Sequence, residues 1–163
     1  MKKTIICLMS LATLTGLSAP SFAAPPKVVF DLGAVVKHHG VIGSPDGKAN
    51  VSFFAEGAGR MQVEGKTLHF SIACSGTDIY AGDKVADGMA DCELKSSGAG
   101  TVYAHFQKVF DANGQWHQRG HFVFSGGTQD FATVTGAVPV YASVLKTGES
   151  GMAFFVEGGS EAL

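Results

Sequence analysis

The chain has 163 residues, with 12 Lys and Arg against 14 Asp and Glu, and a formal net charge of −2. That length suits one domain, and a slightly acidic balance is no electrostatic match for nucleic acid. Hydrophobic residues make up 45% of the chain and charged residues 16%, which is too apolar for a disordered tail.

The chain opens on Met1-Lys2-Lys3, a short basic start, followed by an apolar run over 4–17. That run is shorter than a comfortable bilayer span. Ser21-Phe22-Ala23 then places small residues where a signal peptidase needs them. Residues 1–23 therefore read as a cleaved signal peptide and 24–163 as the mature domain, periplasmic or secreted. Cys7 leaves with the peptide, as do Lys2 and Lys3, so 10 basic residues face 14 acidic ones and the net charge falls to −4. No later apolar run is long enough for a transmembrane helix, so no stable membrane insertion is expected.

Beyond the signal peptide, sustained helical periodicity is missing, and short β-branched and aromatic runs recur between Gly-rich turns. Strands are predicted near 28–36, 50–55, 60–63, 66–74, 89–94, 101–110, 115–125, 132–135, 138–145 and 152–157. The expected fold is all-β, a single small antiparallel β-barrel of about eight strands, because closure removes exposed edges. Ser44-Pro45-Asp46-Gly47 has type I turn residues, and Glu64-Gly65 is a tight two-residue link. Cys74 and Cys92, an even pair in an exported chain, are expected to form a disulfide. Asp78, Asp83, Asp87 and Asp91 fall in what reads as a solvated loop between them. Their spacing fits no EF-hand.

The hairpin around Asp111-Ala112-Asn113-Gly114-Gln115 carries the most information. Val102, Ala104, Phe106, Lys108 and Phe110 share one face with Trp116, Phe122 and Phe124. Tyr103, His105, Gln107 and Val109 share the other with His117, Arg119 and His121. A three-residue loop with Gly114 in the left-handed region keeps like faces matched and sets His105 opposite His121. Such a pair is a candidate metal site, weighed against ordinary exposed histidines on an outer face. The odd face is expected to point outward, because the aromatic even face fits a core better.

The segment Ser125-Gly126-Gly127-Thr128-Gln129-Asp130-Phe131, continuing to Gly136, resembles a signature of allene oxide cyclase-like and dirigent-like eight-stranded barrels. Exported bacterial members of that calycin-type group also tend to carry two cysteines around an Asp- and Gly-rich stretch, as with Cys74 and Cys92 here. The resemblance implies tight turns at Gly126 and Gly127, a barrel end plugged by Phe131, and close backbone approach at Gly136. Gln129 stands where the family usually has Gly. The resemblance places no catalytic residue on this chain.

G-x-S-x-G and H-E-x-x-H motifs are missing, and Gly57-Ala58-Gly59 and Gly98-Ala99-Gly100 lack the context of a phosphate site. An eight-stranded barrel can hold one small molecule or be filled by its own side chains, and 12 Phe weigh toward filling. The leading expectation is non-enzymatic binding of a small apolar molecule, with Phe70, Phe106, Trp116, Phe122 and Phe124 as the candidate lining. No cofactor is expected, and a homo-oligomer is compatible with the sequence. The alternatives are an isomerase- or cyclase-type enzyme, which would need an ionisable group inside the barrel, and a structural or partner-binding protein with a filled one.

Overall fold

A computed structural model describes residues 28–63, 65–147 and 151–159. Eight antiparallel strands follow one another round a closed barrel: β1 Val28–Gly43, β2 Lys48–Val63, β3 Lys66–Ala81, β4 Lys84–Ser96, β5 Gly100–Phe110, β6 Trp116–Gly127, β7 Thr135–Lys146 and β8 Met152–Gly159. Pairing of β1 with β8, from Val29 opposite Gly159 to Val35 opposite Ala153, completes the circle. The expected signal peptide lies outside the described residues.

Alternation decides the facing of each strand. On β3 Phe70 and Ile72 are buried while Ser71 is exposed. On β5 Val102, Ala104 and Phe106 are buried while Tyr103 is 46% exposed. The core gathers these with Phe30 and Leu32 of β1, Leu94 of β4, Phe122 and Phe124 of β6 and Val140 of β7. The odd face of the β5–β6 hairpin thus points outward, as its composition predicts.

Four expectations need correcting. The runs 50–55 and 60–63 are one strand, β2, that continues through Gly57 and Gly59. These glycines look like a break, yet they are where β1 crosses closest: a methyl group on Gly57 would overlap the Gly33 carbonyl. The run 132–135 is not a strand; Gln129–Phe131 form a 3₁₀ turn and β7 begins at Thr135. The stretch between the cysteines is no loop. β3 and β4 extend as a hairpin to Ala81 opposite Lys84, which places Asp78, Asp87 and Asp91 on strands.

The fourth correction concerns register. The turn itself forms as expected, with Gly114 at φ 69° and Asp111 N–H donating to Gln115 O at 2.9 Å. Phe110 then faces Trp116, but Lys108 faces Gly120, so β6 spends three residues against one of β5. Gln118, at φ 65°, sits in that bulge. The two-residue slip keeps the faces matched and sets His105 opposite Val123 and His121 opposite Gln107. The expected His105/His121 cross-strand pair is therefore not formed.

Candidate functional site

The two barrel ends differ. One is shut by the signature segment: Phe131 is 5% exposed and its ring lies 5.8 Å from Phe70. Here two glycine roles are exchanged relative to expectation. Gly127 is the close approach, since a side chain there would overlap the Thr101 carbonyl, and Gly136, at φ 123°, supplies the positive dihedral.

At the other end lies an apolar cavity of about 50 Å³. Phe106, Phe122 and Ile72 wall it, with both disulfide cysteines, and the half-buried Phe53, Phe154 and Trp116 lie toward the strand ends that form its mouth. Phe53 and Phe154 are in ring contact at 5.3 Å. Among the candidate lining residues, Phe106, Trp116 and Phe122 reach the cavity. Phe70 belongs to the closed end, and Phe124 stacks behind Phe122 at 6.5 Å. Cys74 and Cys92 are directly opposed on β3 and β4, with Cα atoms 4.1 Å apart, and form the expected disulfide.

Among the described residues, one charged residue lines this cavity. Lys108 occupies an even position of β5, so alternation turns it inward with Phe106. Its side chain is 5% exposed, and its ammonium donates to Asp78 Oδ1 of β3, whose side chain is 9% exposed. The ammonium also lies 4.9 Å from the Trp116 ring and 5.9 Å from the Phe106 ring. Gly88 of β4 packs against the pair so closely that a methyl group there would overlap both Asp78 Oδ1 and Lys108 Nζ. Trp116 Nε1 donates to Arg119 O at 2.7 Å, which fixes the indole. Nearby Tyr80 has its hydroxyl pKa raised, first by burial and then by the negative charge of Asp78.

Lys108 was legible as a lysine on an otherwise greasy face. Asp78 was not, because the hairpin that carries it reads as a loop. The two lie on β3 and β5 and meet over Gly88 of the strand between them, where a side chain would fill their space.

The outer surface carries ordinary polar groups. His105 Nδ1 lies 2.9 Å from Asp91 Oδ1, and His117 Nε2 lies 2.9 Å from Asp111 Oδ2. Among the described residues no cluster of three His, Cys, Asp or Glu side chains forms a metal site. A wide groove of about 780 Å³ runs outside β1, β7 and β8, where Arg60, Asp31, Glu157, Tyr141 and Arg119 are successive cross-strand neighbours. Although it is larger than the interior cavity, its Arg60–Asp31 pair at 3.2 Å is over half exposed on both sides, and such pairs are weak in water. The small interior cavity has the stronger chemistry, because its ion pair is withdrawn from solvent.

No described helix is long and apolar enough to cross a membrane. The disulfide is consistent with an oxidising compartment. The chain matches no protein-family model, no curated protein and no solved structure.

Proposed function

We propose that this is an exported container of the allene oxide cyclase-like barrel type, which binds one small, largely apolar molecule at the open end of its barrel. The observation that carries the reading is the cavity beside Phe106, Phe122 and Trp116, apolar except for the single Lys108 ammonium. A mostly apolar wall with one placed polar group is the usual make-up of a small-molecule site. The Ser125–Gly136 signature supports the barrel type through the closed end it builds around Phe131.

Volume favours a second reading. A cavity of about 50 Å³ holds a few waters, well below the roughly 300–1,000 Å³ of common ligand pockets. A barrel filled by its own side chains, with a structural or partner-binding role, is the alternative. An isomerase- or cyclase-type activity would have to work through Lys108, the one ionisable group among the described residues that line the cavity.

Native mass spectrometry of the disulfide-bonded protein from its own host separates these. A bound mass that is lost on denaturation supports the container. A clean polypeptide mass, with no adduct after incubation with candidate extracts, overturns it in favour of the filled barrel.

A further inference from the structure

We infer that the molecule held in this cavity is uncharged and bears one carbonyl oxygen on a compact apolar body, with that oxygen accepting a hydrogen bond from the Lys108 ammonium. The inference rests on the container reading above and adds the ligand's chemical class to it.

An ammonium carries three N–H donors. Among the described residues, Asp78 is the one hydrogen-bond partner of Lys108, and the remaining neighbours of its Nζ are the Trp116 and Phe106 rings. On the β4 side Gly88 leaves no room even for a methyl group, which would overlap both charged atoms. The indole N–H of Trp116 is already given to Arg119 O, so it offers no competing donor. Lys108 is therefore the donor that the cavity presents.

Charge then selects the acceptor. Asp78 neutralises Lys108, so the buried pair is electrically complete. A carboxylate ligand would leave a net negative charge in an apolar site, at high desolvation cost. A pure hydrocarbon would seal ammonium donors against an apolar surface without an acceptor. A neutral carbonyl avoids both penalties. The volume of about 50 Å³ restricts the part that enters the cavity to a few heavy atoms.

Trp116 is the one tryptophan of the chain, so its indole N–H gives a single resonance beside the site. The disulfide-bonded protein would be titrated with cyclopentanone, methylenecyclopentane and cyclopentanecarboxylate while this resonance is followed in a proton–nitrogen correlation spectrum. The expected result is saturable shifts with cyclopentanone bound about tenfold tighter than methylenecyclopentane, and the carboxylate weakest, as one hydrogen bond from a charged donor would give. The double variant Lys108→Met with Asp78→Leu removes the donor without leaving a lone buried charge or adding an amide donor in its place. It should lose the ketone preference and bind the hydrocarbon at least as tightly as the unaltered protein does. Equal binding of ketone and hydrocarbon by the unaltered protein, or tightest binding of the carboxylate, overturns the ligand class and leaves the container standing. If no probe moves the resonance, container and ligand class fall together. Should the double variant not fold, the ranking of the three probes on the unaltered protein still decides.

Discussion

Gln129 holds φ at 53° in the 3₁₀ turn that closes the barrel, a left-handed conformation that costs a residue with a Cβ about 1–2 kcal/mol. Glycine, with no Cβ, would hold the same conformation without that cost. Gly itself loses about 0.5–1 kcal/mol through the greater freedom of its unfolded chain. Gln129→Gly is therefore expected to stabilise the protein by about 0.5–1 kcal/mol, read as a higher urea midpoint at unchanged m-value. A lower midpoint would mean that the glutamine side chain makes a contribution larger than its strain. Identity alone told which residues at this end were special, but not in what way. Gly127 and Gly136 are indistinguishable as letters, and only the packed backbone separates a close approach from a positive dihedral. Lys108 shows the same limit: its parity was readable, while its partner Asp78 lies 30 residues away on a strand read as a loop.

At the scale of the element, the β5–β6 hairpin shows how local chemistry fixes a turn and leaves the ladder beyond it free to slip. Asp111 accepts backbone N–H bonds from Asn113 and Gln115, both at 2.8 Å, and faces His117 Nε2 at 2.9 Å. The loop length was legible because these partners lie within six residues. The bulge at Gln118 was not; beyond it Gly120 lies opposite Lys108, where a side chain would overlap the Phe106 ring. The Gln115 N–H bond first, and the His117 contact next, lower the Asp111 pKa from its ordinary value of 3.8. A carboxyl with a depressed folded-state pKa contributes stability at pH above 3.8, and that contribution is lost as pH falls through the lower folded-state value. Amide exchange at Asn113 and Gln115 is thus expected to rise below about pH 4, relative to the rest of the sheet, and Asp111→Asn should flatten that rise. An equal acid response in the variant would place the titrating group elsewhere.

For the whole molecule, closure and the disulfide secure different things. Alternating apolar runs and frequent turn residues were enough to read an all-β barrel, because eight amphipathic strands have few ways to hide both their apolar faces and their edges. How far the interior is filled was not readable, since it depends on how side chains from non-neighbouring strands meet, as Phe30 does with Phe122 at 5.1 Å. The ring of β1–β8 pairs shuts the sheet, whereas Cys74–Cys92 ties β3 to β4 at the cavity wall, midway along one hairpin. The sheet's hydrogen bonds do not pass through that bond, so reduction should leave the barrel assembled. What it removes is a restraint on the unfolded chain, for a sequence separation of 18 residues worth about 3 kcal/mol. The reduced protein is expected to keep the β-sheet circular dichroism of the oxidised form and to unfold about 3 kcal/mol more easily in urea. Loss of the sheet signal on reduction would instead make the disulfide a condition of folding. The barrel would then exist only where thiols are oxidised, and the resting protein could not be a container in a reducing compartment.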